Sequence, residues 1–206
     1  MLYRTDKLLL GTTNLAKINL YQSILAGEKL RILSLSDFPQ FANLKAEEGL
    51  DSLRDNAIAK ARVFAKASGI PTLGDDTGVF IPALGGKPGV APRRWGGLLS
   101  DSISDEEWLK FFLKQIEFLE GNKLNCYRQQ VCAIYHPAGR FSTFKITIQG
   151  RIAKRKRAKS FINGSPFSVY FYLSNYSCYF SELSKKQIIE VFSPIRTKVF
   201  DFLEST

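Results

Sequence analysis

The chain has 206 residues, 45% apolar content and a net charge of +10 at pH 7. That length can bury a sizeable core, which fits one globular domain, and no run approaches the length of a membrane span. The cysteines, Cys126, Cys132 and Cys178, are odd in number and lack metal-ligand spacing, so buried or free thiols in a reducing cytosol are expected rather than a zinc site.

Residues 1–6 carry charge beside a short apolar strand and give no expectation of a signal peptide. The strand Leu8-Leu9-Leu10 leads into Gly11-Thr12-Thr13-Asn14-Leu15-Ala16-Lys17 and an amphipathic stretch. A strand, a tight polar turn and a helix gather backbone N–H groups and a lysine around one point, which suits an anion. The segment lacks the P-loop pattern, and an ordinary N-cap by Thr13 or Asn14 explains it equally well. Next, Glu47 and Glu48 lie in a loop before an alanine-rich helix. Ser52 and Asp55 resemble a capping box, so helix initiation accounts for Asp55 and Asn56, but not for Glu47 and Glu48.

Residues 74–94 are the most informative stretch. Asp75 and Asp76 follow a short apolar run and precede Thr77-Gly78; a loop with Gly85, Gly86 and Gly89 then ends on Arg93 and Arg94. A bare Asp-Asp pair reads most simply as a polar turn. In this company the carboxylates suit a hard divalent cation that would hold phosphate oxygens, and the glycines and arginines suit the rest of a polyphosphate. Further on, Ser104-Asp105-Glu106-Glu107 opens a helix with Trp108, Phe111, Phe112 and Ile116 at its apolar positions. Residues 130–135 and 140–149 read as antiparallel strands joined by a turn that contains the lone histidine, His136. Helix and strand alternation gives the α/β class. Much of the positive charge lies in the run 151–159, best read as a solvated loop; alternatives are a nucleic-acid contact or a border that concentrates anionic nucleotides.

Together the three N-terminal motifs resemble the inosine/xanthosine triphosphate pyrophosphatase (Ham1-like) family. Its Thr-x-Asn-x-x-Lys turn is matched by Thr12, Asn14 and Lys17, and its Glu-Glu and Glu-Asn-Ala-x-x-Lys-Ala helix by Glu47, Glu48 and Asp55-Asn56-Ala57-Ile58-Ala59-Lys60-Ala61. Its Asp-Asp-Ser-Gly-Leu motif is matched by Asp75-Asp76-Thr77-Gly78-Val79, and its Leu-x-Gly-x-Pro-Gly by Leu84-Gly85-Gly86-Lys87-Pro88-Gly89. Its Ser-Ala-Arg stands as Pro92-Arg93-Arg94. The C-terminal half departs from the pattern. In the base-gripping segment Ser168 stands in the Asp position and Val169 in the Pro position, and the closing Ser-His-Arg-Gly-Lys reads Ser193-Pro194-Ile195-Arg196-Thr197-Lys198, without histidine.

The resemblance implies residues 1–206 as one ITPase-like domain, with an elongated central mixed β-sheet and two α/β lobes flanking a nucleotide-binding cleft. It implies Mg2+-dependent hydrolysis of deaminated-purine triphosphates (ITP, dITP, XTP) to the monophosphate and pyrophosphate, by a cytoplasmic homodimer. Glu48, Asp75 and Asp76 would hold the metal, and Asp76 would polarise the attacking water. Thr12, Thr13, Asn14, Lys17, Thr77 and Arg94 would hold the triphosphate, Phe167 would stack on the base, and Ser168, Arg196 and Lys198 would complete the substrate contacts. The altered C-terminal signatures leave as the alternative a catalytically degenerate nucleotide binder, or an interaction protein that uses the basic run.

Overall fold

A computed structural model describes residues 6–27, 30–49, 51–154, 162 and 164–205. In chain order the elements are β1 (Lys7–Leu10), α1 (Leu15–Leu25), β2 (Arg31–Ser34), α2 (Leu53–Ser68), β3 (Thr72–Phe80), β4 (Pro88–Gly89), α3 (Asp105–Ile116), β5 (Asn125–Tyr135), β6 (Phe141–Ile152), β7 (Phe171–Leu173), β8 (Cys178–Tyr179) and α4 (Lys185–Glu204). The strands form one mixed sheet in the order β2-β1-β3-β5-β6-β7-β8, with β4 paired to β3. The expected α/β class with a central mixed sheet is the observed one. The chain divides into two compact units, one of residues 1–76, 130–146 and 188–206, the other of residues 77–129 and 147–187.

In the first unit β1 pairs in parallel with both β2 and β3. Leu8, Leu9 and Leu10 are fully buried, as a parallel strand covered on both faces requires. Ser52 caps α2 by accepting from the Asp55 N–H at 3.1 Å, and Gly69 ends the helix in the left-handed conformation (φ 69°), where a Cβ would be strained. Between these ends α2 lies directly on β3. A Cβ on Gly74 would meet the Ala57 carbonyl oxygen at 2.5 Å and the Ala61 nitrogen at 2.6 Å, so only glycine permits this approach.

In the second unit β4 returns antiparallel onto β3, with Val79 opposite Gly89 and Phe80 opposite Pro88. Gly85 and Gly86 take positive φ in the return, so their conformational freedom serves a tight reversal. Ser104 and Glu107 form the expected capping box of α3. That helix packs Trp108 and Phe112 with Trp95, and Phe112 meets Phe167 edge-on at 5.4 Å. Cys126 is buried here, which pushes its thiol up to about 12 and makes it a packed apolar side chain rather than a nucleophile.

The strands after α3 give way to the C-terminal helix α4. Ile188, Phe192, Ile195, Val199 and Phe202 repeat at three- and four-residue spacing, and the last four are buried on α4. Pro194 sits inside this helix and lacks the N–H that would bond the Glu190 carbonyl. The Ser193 hydroxyl donates to that carbonyl instead, at 2.8 Å. Arg155, Lys156, Arg157, Ala158 and Lys159 of the basic run lie outside the described residues, as do residues 1–5.

Candidate functional site

The first unit brings together the N-terminus of α1, the α2 helix and the middle of β3. Asn14 is the N-cap of α1; its side chain accepts from the Ala16 and Lys17 N–H groups at 2.9 and 3.2 Å. Thr12 accepts from the Asn14 N–H at 3.2 Å, and Thr13 is exposed beside it. Capping therefore explains Thr12 and Asn14 locally, and it also aims Lys17 at β3. The Lys17 ammonium lies 3.0 Å from Asp75 Oδ2.

Successive residues of a strand point to opposite faces, so Asp75 and Asp76 have different surroundings. Asp75 is almost wholly buried (1% exposed). Its Oδ2 accepts from Lys17 and from the Gln130 amide at 3.2 Å, whereas its buried Oδ1 has no hydrogen-bond partner among the described residues. The same Gln130 amide nitrogen lies 2.7 Å from the Tyr21 hydroxyl, which in turn sits 3.4 Å from Cys132 Sγ. Burial first, and then the Asp75 charge, push the Tyr21 phenol well above its ordinary value, so it stays a neutral hydroxyl.

Asp76 faces α2. Asn56 donates to its Oδ2 at 2.9 Å and also holds the Glu48 loop, giving its amide hydrogen to the Gly49 carbonyl at 2.9 Å and accepting from the Gly49 N–H at 2.8 Å. One turn along the same helix face, the Lys60 ammonium reaches Glu48 Oε2 at 2.7 Å, Asp76 Oδ1 at 3.3 Å and the Asp75 carbonyl at 3.2 Å. Burial alone would lower the Lys60 pKa, but Asp76 and Glu48 outweigh it and raise the value, so this lysine is a fixed positive charge. Glu48 and Asp76 thus converge on one cation that the protein itself supplies.

The motif matched Asn56 and Lys60 without giving them a role; their i, i+4 spacing on a helix that must pack on Gly74 was the available signal. No local signal marked Gln130 or Tyr21, whose proximity to Asp75 is purely tertiary. Among the described residues no three His, Cys, Asp or Glu side chains converge as a metal-holding group. The donor set nevertheless fits a hard dication in two respects. All the donors are oxygens, and Asp75 Oδ1 is buried and unpartnered. Magnesium beside a nucleotide needs only one or two carboxylates, because phosphates and waters complete its shell.

The remaining expected residues have these surroundings. Arg196, on α4 in the first unit, donates to the Ile24 and Ala26 carbonyls at 3.0 and 2.8 Å, tying down the last turn of α1. Lys198 is exposed on α4 and Ile195 is buried. In the second unit the Thr77 hydroxyl is buried without a hydrogen-bond partner among the described residues, and Arg94 pairs with Asp101 at 3.3 Å. Phe167 is buried between Phe112 and Phe171, and the Ser168 hydroxyl accepts from the Ile162 N–H at 3.1 Å. His136 is a turn residue, as expected: its Nδ1 accepts from the Ala138 N–H at 3.2 Å.

Fold and site together define a mixed α/β protein whose central strand carries adjacent carboxylates, each held against a lysine. A profile of the Ham1 family matches residues 8–191. The chain belongs to that family. A dITP/XTP pyrophosphatase of Symbiobacterium thermophilum is 31% identical over 79% of this chain and 78% of its own length. One from Geobacter sulfurreducens is 31% identical over 86% and 85%. Among solved structures, the Ham1 protein of Staphylococcus aureus superposes with a TM-score of 0.76 at 21% identity, covering 95% of this chain and 98% of that one.

Proposed function

We propose that this chain is a nucleoside triphosphate pyrophosphatase that hydrolyses deaminated-purine triphosphates, releasing the monophosphate and pyrophosphate. Relatives named dITP/XTP pyrophosphatases at about a third identity support the substrate class. The observation that carries the chemistry is the alternation of charge on β3: Lys17 on Asp75, and Lys60 on Asp76 and Glu48. A triphosphate carries about four negative charges and repels an attacking water until cations neutralise it.

In this reading Thr12 and Thr13, at the N-terminus of α1 that Asn14 caps, receive phosphate oxygens, and Lys17 and Lys60 neutralise them. Glu48, Asp75 and Asp76 are the donors that would hold Mg2+, which when bound supplies charge neutralisation on the phosphates. Asp76, fixed by Asn56, accepts a proton from the attacking water. Water oxygen bonds to the α-phosphorus, the bond to the bridging oxygen breaks, and pyrophosphate leaves. A homodimer working in the cytoplasm completes the reading. No helix among the described residues is long and apolar enough to cross a membrane.

The test is pyrophosphate release with Mg2+ across ATP, GTP, CTP, UTP, dTTP, ITP, dITP and XTP. Turnover of ITP, dITP and XTP above the others is expected, and D76N should lower kcat by about a hundredfold or more while the fold is kept. A preference for another base would move the substrate class, and a folded protein with no turnover would sink the reading.

A further inference from the structure

Gln130 is a buried polar side chain in an apolar stretch: Val131, Cys132, Ala133 and Ile134 beside it on β5 are all buried. Methionine or leucine would fill that volume without desolvating an amide, so its presence calls for partners. Both hydrogens of one nitrogen have them, one at the Tyr21 oxygen (2.7 Å) and one at Asp75 Oδ2 (3.2 Å). The chemistry fixes this orientation, because the flipped amide would set its carbonyl oxygen against an ionised carboxylate. Tyr21, kept neutral, accepts from the amide and has its own hydrogen free for Cys132 Sγ at 3.4 Å. The amide thus donates in two directions, to the Tyr21 oxygen, which passes its own hydrogen on to Cys132, and to a single oxygen of Asp75.

We propose that Gln130, backed by Tyr21, is a positioning residue for Asp75: it pins Oδ2 so that Oδ1 stays available to a divalent cation. Lys17 also holds Oδ2, but a flexible ammonium follows a carboxylate as it rotates, whereas a packed amide with its second hydrogen committed does not. The unpartnered Oδ1 is what such a clamp leaves behind. Hydrogen-bond partners of metal-binding carboxylates set their orientation, and losing one weakens metal binding by about tenfold or more. The inference rests on the proposed metal-dependent activity, so its test includes a readout that needs no turnover.

Mn2+ is titrated into wild type, Q130M, Y21F, D75N and the double variant Q130M/D75N, with unbound ion counted by electron paramagnetic resonance. Pyrophosphate release is followed in parallel. Q130M, nearly isosteric, should weaken Mn2+ by about tenfold and lower kcat more than it changes KM. Y21F should act in the same direction by a smaller factor. In the D75N background Q130M should add nothing, because the amide acts only through that carboxylate. Wild-type Mn2+ affinity in Q130M, or effects of Q130M and D75N that multiply, would overturn the assignment, as would a wild-type protein that binds no Mn2+ into the millimolar range. If Q130M fails to fold, Y21F decides, and wild-type behaviour there counts against the clamp. A wild type that binds Mn2+ but hydrolyses no nucleotide would end the proposed function and leave the clamp to be judged by the titration.

Discussion

Lys60 is the residue on which the site turns, since its ammonium joins Glu48 to Asp76 and touches the Asp75 carbonyl. Three carboxylates within one small region repel one another, and in the free protein this lysine is what neutralises two of them. In K60M those carboxylates lose their partner. Glu48 is partly solvated, so the cost falls below that of a buried pair, at about 1–2 kcal/mol. A dication can then take the vacated place. Thermal unfolding should therefore show a larger Tm gain from added MgCl2 in K60M than in wild type, by linkage to metal binding. Equal gains in the two proteins would mean that Glu48 and Asp76 do not share a dication in place of Lys60. The sign with pH is also set: a raised Lys60 pKa stabilises the folded state below the unfolded value and is lost only as pH rises through the folded one, above 10.5. Lys60 thus adds no pH dependence near neutrality.

At the scale of elements, the contact of α2 with β3 at Gly74 decides whether Asn56 and Lys60 reach Asp76 at all. G74A would drive a methyl group into the Ala57 carbonyl and the Ala61 nitrogen, both backbone atoms that can yield only if the helix moves. The expected destabilisation is about 3 kcal/mol, with turnover falling further than the folded fraction. G69A, at the left-handed end of the same helix, should cost about 1 kcal/mol and leave turnover nearly intact. Equal losses of activity in the two variants would separate helix placement from the site. These elements also mark how far the sequence was legible. The cap residue Ser52, the Ser104–Glu107 box and the triple leucine of β1 are local signals, and each sits where its pattern put it. Asp75, Asp76 and Lys17 stand out in the sequence because motif spacing carries them, and Lys17 meets Asp75 in the fold. Gln130 does not stand out, because nothing in its own segment distinguishes it from a strand residue on a wet face. The α4 helix holds Pro194 in its interior, because one serine hydroxyl takes the carbonyl that the proline leaves. Arg196 was expected at the substrate, yet its guanidinium holds the end of α1, a contact 170 residues away in sequence for the Ala26 carbonyl.

For the whole molecule the relevant quantity is the net charge of +10. A triphosphate arriving in such a field is concentrated near the protein, and the effect fades as the screening length shortens from about 30 Å at 0.01 M salt to about 8 Å at 0.15 M. kcat/KM should accordingly fall several-fold over that range, with kcat at saturating substrate nearly constant, because contacts already made inside the site are screened little. The basic run offers a way to tell a general field from a dedicated arm. Replacing Lys154, Arg155, Lys156 and Arg157 with glutamine removes four of the ten net charges. If the field as a whole draws the substrate, the variant keeps kcat and a shallower salt dependence of kcat/KM. An arm built for nucleic acid would instead show wild-type hydrolysis, salt slope included, beside a loss of oligonucleotide binding. That binding would have its own steep salt dependence from counterion release. Lys154 already donates to the Glu117 carbonyl at 2.6 Å and Arg151 reaches the Gly121 carbonyl at 3.4 Å, so the start of the run is spent on its own unit. That commitment favours the first outcome, in which the charges act at a distance rather than by contact.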